Sequence, residues 1–257
     1  MTATAQLLEQ RSFGQLVLTM GQDGPIDLRE AGASKIRIPQ GSHQAIIINT
    51  GGGLAGGDKF ELSFACVAEA RLTLTSQSAE RVYQTLGPTA EITTQVRAEK
   101  NAKLFWLPQE TILYEGASLK RSYDVRLMTG AKFLSVEPII FGRTEMNERI
   151  TSIQLRDRWR IWREGKLVHA EDLKLGPELP ISKATLNGSK AMATLIYVAD
   201  DAETKLETIR EFTAASAWNG KLIARLIAKD GYTLRKTLIP AIKVLAEAEA
   251  LPKIWTA

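Results

Sequence analysis

Thiols and imidazoles are almost missing from this chain, whose 257 residues hold a single cysteine, Cys66, and two histidines, His43 and His169. One cysteine excludes an internal disulfide and fits a reducing compartment. Cys66 reads as a small buried hydrophobe. Nucleophilic triads need a histidine poised to take a proton. His43, in Gly-Ser-His-Gln, reads instead as a loop residue, and His169 as a hydrogen-bonded residue within a strand. A closed zinc or nickel cage takes about four His or Cys ligands, which these three side chains do not supply. Long apolar runs are missing too. None approaches the ~18 residues of a spanning helix, and Met1 to Ser12 reaches Glu9 and Arg11 with no apolar leader core. A cytoplasmic protein without membrane contact is expected. Net charge is only +4, from 33 basic and 29 acidic residues, too slight to demand nucleic acid. Much of the excess falls at Arg156, Arg158, Arg160, Arg163 and Lys166, without the stacking aromatics of a nucleic-acid surface.

Glycine is abundant in one place. Gly51, Gly52, Gly53, Gly56 and Gly57 follow the apolar run Ala45 to Ile48. Gly51, Gly53 and Gly56 have the spacing of a dinucleotide fingerprint, which requires a helix to start at the last glycine. Here Phe60, Leu62, Phe64 and Cys66 alternate with Lys59, Glu61, Ser63 and Ala65, the period of a half-buried strand. A phosphate loop of the Walker type fails as well, since Lys59 follows Asp58 and no Ser or Thr comes next. The stretch therefore reads as a bend between two strands, packed against another backbone, with Asp58 as its turn residue.

Residues 13 to 48 read as short strands, broken at Gly21 to Pro25, Gly32 and Pro39 to Gly41. Three hairpin-like units follow, Lys59–Val67 with Arg71–Ser76, Glu91–Arg97 with Lys103–Leu107, and Ser122–Leu127 with Lys132–Val136. Ala70, Ala102 and Ala131 sit just after each turn, two residues ahead of Leu72, Leu104 and Phe133. Such a period, near thirty residues, marks stacked supersecondary units. A fourth hairpin spans Ile153 to Leu175 around Glu164-Gly165. Helices enter late. Ala202, Leu206, Ile209 and Phe212 share a face behind the N-cap candidates Asp200 and Asp201, and Leu234, Leu238, Ile242 and Leu245 mark a closing helix interrupted by Pro240. Between them Leu222 to Ile227 reads as a strand, and the end, Leu251 to Trp255, as a segment docked on its own domain. The fold class is mostly β (α+β): stacked or helically wound β-hairpin repeats in layered sheets, with two α-helices in the C-terminal third and residues 1–257 as one domain.

Asp58, Asp157, Glu171 and Asp172 fall where the pattern implies partial burial, so they are the oxygen ligands on offer. Asp157 stands in an apolar register between Leu155 and Trp159, which calls for an arginine partner or a raised pKa. Two structural alternatives stay open, with Asp58 capping a turn and Glu171 pairing Arg158 across the hairpin.

Asn49-Thr50-Gly51-Gly52-Gly53-Leu54-Ala55-Gly56-Gly57-Asp58 resembles the N-x-x-G-G-x-x-G-G-D signature of the urease accessory proteins UreD, also called UreH. Thr75 to Tyr83, Leu107 to Leu113, Phe141-Gly142-Arg143 with Glu148, Asp157-Arg158-Trp159 and Leu251 to Trp255 resemble that family in the same order. Gly51 stands where alanine or proline is common, and Lys253 where arginine is usual. The resemblance implies a non-enzymatic scaffold that binds urease apoprotein, recruits UreF and the GTPase UreG, and assists nickel insertion. It implies no permanent cofactor, only transient Ni2+. Asn49, Gly52, Gly53, Gly56 and Gly57 become the structural motif, while Asp58 and Glu171 match acidic positions lining a nickel route.

Overall fold

The computed structural model describes residues 11–143, 146, 148–178, 182–246 and 251–256. All but the last two residues of the Met1 to Ser12 segment lie outside them.

The alternating segments form two facing sheets. One has seven strands in the order Lys166–Leu175 (β14), Gln154–Arg163 (β13), Ser118–Leu127 (β11), Ala90–Ala98 (β8), Lys59–Cys66 (β5), Phe13–Met20 (β1) and Pro25–Gly32 (β2). The other has ten. Its main path runs Ala215–Trp218 (β16), Lys221–Ala228 (β17), Ala191–Val198 (β15), Lys132–Phe141 (β12), Lys103–Trp106 (β9), Arg71–Ser76 (β6), Gln44–Asn49 (β4) and Ser34–Arg37 (β3), and Glu80–Val82 (β7) and Thr111–Leu113 (β10) pair beside it.

Neighbours β1, β5, β8, β11 and β13 are parallel, as are β4, β6, β9 and β12. The mostly-β, stacked reading holds, but the pairing within it changes. Strands β5 and β6 lie in different sheets, and so do β8 and β9, and β11 and β12. The three units are thus arches that carry the chain from sheet to sheet, and each strand bonds to its counterpart in the next unit. Alternation reports which side chains are buried and says nothing of which backbone supplies the ladder. The repeat itself is literal. Ala70, Ala102 and Ala131 are buried and donate to the carbonyls of Val67, Glu99 and Met128, closing the same turn three times. Leu72, Leu104 and Phe133 then stack in register.

The fourth unit, β13 with β14, is a true antiparallel hairpin, its turn residues Glu164 and Gly165 having φ of 50° and 75°. Strand β15 was not legible as such because all eight of its residues are buried, so it shows no alternation. The closing helix, α2 (Gly231–Leu245), is capped by Asp230, which accepts from Thr233 N at 2.7 Å, and runs unbroken through Pro240 instead of dividing there. Its Leu234, Leu238, Ile242 and Leu245 bury one face against β15 and β17. The other helix, α1 (Leu206–Arg210), is a single turn behind a 3-10 segment, and neither Asp200 nor Asp201 caps it. Asp201 accepts from Tyr197 Oη and Lys132 Nζ instead, and Asp200 from Arg163. At the chain's end Trp255 is buried, and its indole donates to Leu107 O at 2.9 Å.

Candidate functional site

The glycine bend carries the chain from the ten-stranded sheet, at β4, to the seven-stranded one, at β5. Asn49 Oδ1 accepts from Gly51 N at 2.9 Å, and its Nδ2 donates to Gly53 O at 3.1 Å and to the Glu80 carboxylate. A Cβ on Gly53 would lie 2.8 Å from Arg81 O, and one on Gly56 would lie 2.6 Å from Pro88 O. Backbone approaches that close leave room only for hydrogen. Gly52 and Gly57 have φ of 75° and 86°. Asp58 is 2 % exposed, and its two oxygens accept from Ser12 N at 2.6 Å and Ala55 N at 2.8 Å. These bonds tie the bend to β1. Burial pushes the neighbouring Glu80 carboxyl up to about 7, against the pull of Asn49.

Glu171 lies elsewhere. It is on edge strand β14, with β13, β11 and β8 between it and the strand that follows Asp58. The fold does not bring these two carboxylates together. Its partner is not Arg158, because the cross-strand neighbour of Glu171 is Trp159, and Arg158 sits opposite Asp172. Glu171 Oε2 instead takes Arg225 Nη2 of β17 at 2.6 Å and lies 3.5 Å from His169 Nε2. Burial alone would raise the Glu171 carboxyl, but His169 and Arg225 hold it below its ordinary value. Together with Leu167, Trp218 and Lys221 these residues line a cleft of about 640 Å³ where the two sheets part.

Inward from Glu171 the apolar core is crossed by a charged cluster that residue spacing identified only at Asp157. Arg121 on β11 places Nη2 at 2.5 Å from Asp157 Oδ2 on β13 and Nη1 at 2.6 Å from Glu137 Oε2 on the facing strand β12. Tyr123 Oη and Trp106 Nε1 donate to Glu137 Oε1 at 2.8 and 2.5 Å. Tyr123 in turn stacks on Trp159, with ring centroids 3.8 Å apart. Burial holds Asp157 above the usual carboxylate range in spite of Arg121. Two buried polar atoms of the cluster, Asp157 Oδ1 and Arg121 Nε, have no protein partner. Arg121 and Glu137 escaped sequence reading because their partners are 36 and 16 residues away. An arginine alternating with apolar neighbours on β11 was the one local signal.

Cys66 is buried, and burial pushes its thiol up to about 12, far from a nucleophile. Among the described residues no three His, Cys, Asp or Glu side chains gather as a metal site, and no helix is long and apolar enough to cross a membrane. What the fold defines is a two-sheet β-solenoid with a polar seam of Arg121, Asp157 and Glu137 between its sheets and a helical C-terminal cap.

Comparison with known sequences gives that architecture its family. Residues 4–256 match the family model described as UreD urease accessory protein. The chain is 43% identical over 266 aligned positions to a urease accessory protein UreD of Rhizobium etli, covering 99% of this chain and 97% of that one. Its likeness to the Rhizobium leguminosarum bv. viciae protein of the same name is 43% over 269 positions, covering 99% and 98%. With that of Brucella suis it is 42% over 243 positions, covering 89% and 87%. This chain belongs to the UreD urease accessory protein family.

Proposed function

We propose that this chain is a non-catalytic maturation scaffold for urease, working in the cytoplasm, that binds the apoprotein, recruits UreF and the GTPase UreG, and assists delivery of Ni2+ to the urease site. Membership of the UreD family supports the urease role. The observation that carries the transfer step is the polar seam, buried between the sheets, with Asp157 within electrostatic reach of Glu171 at the cleft. An ion cluster inside an apolar core adds little stability over well-packed hydrophobes of the same volume. Polar atoms left without a partner there suit a passage that water and a cation use in transit. Oxygen donors hold a divalent cation loosely enough to let it go, whereas thiolate and imidazole clusters store it.

On this reading Glu171 and Asp58 are carboxylates met by the ion at separate points, Glu171 at the cleft and Asp58 at the glycine bend. Co-expression of the chain with urease and its accessory proteins tests the proposal. Recovery of one complex containing the chain, UreF, UreG and apo-urease, with nickel-loaded urease formed only when the chain is present, is the expected result. A complex that forms while urease loads equally well without the chain leaves an interaction module with no part in transfer.

A further inference from the structure

The outward face of the seven-stranded sheet carries a second feature, remote in kind from the seam. Registration places Arg97 of β8 beside Arg126 of β11, and Arg126 beside Trp162 of β13. Three adjacent strands thus set two guanidiniums and an indole in one row. At Trp162 the hairpin ladder shifts register, and bulges of that kind re-aim side chains beside working surfaces. The row borders a cleft of about 370 Å³ lined by Arg97, Arg126, Met128 and Trp162, and a second of about 480 Å³ shares both arginines.

Three observations mark this row as unfinished in the free chain. The Trp162 indole nitrogen is buried and has no acceptor, although a buried indole N–H ordinarily finds one. Arg97 and Arg126 are held only through Nε, by Glu99 at 2.5 Å and Asp124 at 2.9 Å. Their terminal nitrogens have no partner among the described residues. Met128 is 42 % exposed at the border of the row. Arginine, tryptophan and methionine around a pocket are the composition of an interface anchor.

We infer that this row is a docking site for an acidic protein surface, with a partner carboxylate seated between Arg97 and Arg126 beside the Trp162 side chain. Charge on the rest of the face favours that occupant. Arg156, Arg158 and Arg160 continue the basic character along β13, and Arg158 has no ionic partner among the described residues. Asp124, Glu91 and Asp172 are interspersed between them. A discrete acidic protein surface can avoid those carboxylates, whereas a continuous phosphate backbone meets them at every step. The inference rests on the scaffold reading, since it assigns one contact within the urease maturation assembly.

The test uses the full chain co-expressed with urease and the other accessory proteins, in wild-type form and as R97E/R126E. Both side chains are exposed, so an unchanged thermal midpoint is the control. The double variant should lose about tenfold or more in affinity for one component of the assembly, and the wild-type contact should weaken as salt rises. Trp162→Ala, which removes the aromatic wall beside the two guanidiniums, should weaken the same contact without changing its salt dependence. Undiminished binding of every component by R97E/R126E overturns this inference and leaves the scaffold reading intact. Failure of the wild-type chain to bind any component overturns both. If a 20-base-pair DNA duplex binds wild type and the double variant loses it, with protein contacts unaffected, the face is a nucleic-acid surface and the inference is wrong.

Discussion

Arg121 and Asp157 meet on neighbouring parallel strands, 2.5 Å apart and both buried, with Glu137 closing the cluster from the other sheet. Removing the guanidinium strands two carboxylates in a core that cannot solvate them. Arg121→Met should therefore cost about 3–5 kcal/mol. Chemical denaturation of the purified variant measures it. Asp157→Asn keeps an acceptor for Arg121 and should cost distinctly less.

Asp58→Ala removes the acceptor for two backbone amides, Ser12 N and Ala55 N. Leaving buried donors unpaired costs roughly 1–3 kcal/mol, and Asp58→Asn, which retains one oxygen, should recover part of that. Equal midpoints for wild type and Asp58→Ala in denaturant titration would contradict the turn-capping geometry.

Glu80 gives stability a pH dependence of unusual sign. Its folded pKa is raised from 4.5 to about 7 by burial. Between those values the folded state holds a proton that the unfolded state has lost, so this residue makes stability fall as pH rises through the window. Each unit of pH there is worth up to ~1.4 kcal/mol. Glu80→Gln should flatten the slope between pH 5 and 7, as read from unfolding midpoints at stepped pH.

Arg235 joins two distant segments, its Nε lying 2.9 Å from Glu110 Oε1 and its guanidinium 5.0 Å from the Trp255 ring centre. Trp255→Ala empties a buried site and should cost ~3–5 kcal/mol. Arg235→Ala should instead loosen the C-terminal turn, seen as a red shift of tryptophan emission in an otherwise folded protein.

Sequence reading located the alternating strands, because apolar alternation in Phe60 to Cys66 or Leu155 to Ile161 follows directly from one buried face, and it missed the short β7, β10 and β16 and the wholly buried β15. It could not tell arch from hairpin. Both place Ala70 and Leu72 identically after a turn, and only the ladder partner differs. Among the site residues, the glycine bend was legible since five glycines in seven positions have few other uses. Asp157 was legible as a carboxylate in an apolar register, and an arginine partner was expected for it. The identity of that arginine was not, nor was Arg225 as the partner of Glu171, since pairing across the two sheets depends on how the solenoid turns stack. Asp200 and Asp201 misled because Tyr197, Lys132 and Arg163, all brought near by tertiary packing, outcompete the helix amides for them.

Nickel content of urease matured beside seam variants tests the transfer claim most directly. Glu171→Gln and Asp157→Asn nearly preserve side-chain size, so folded scaffold can be matched to wild type and its recovery with UreF checked in the same preparation. At matched levels the double variant should yield urease with substantially less nickel and proportionally less activity while the complex is recovered unchanged. Full nickel loading in that variant would contradict the seam as a route and leave Glu171 and Asp157 as structural residues.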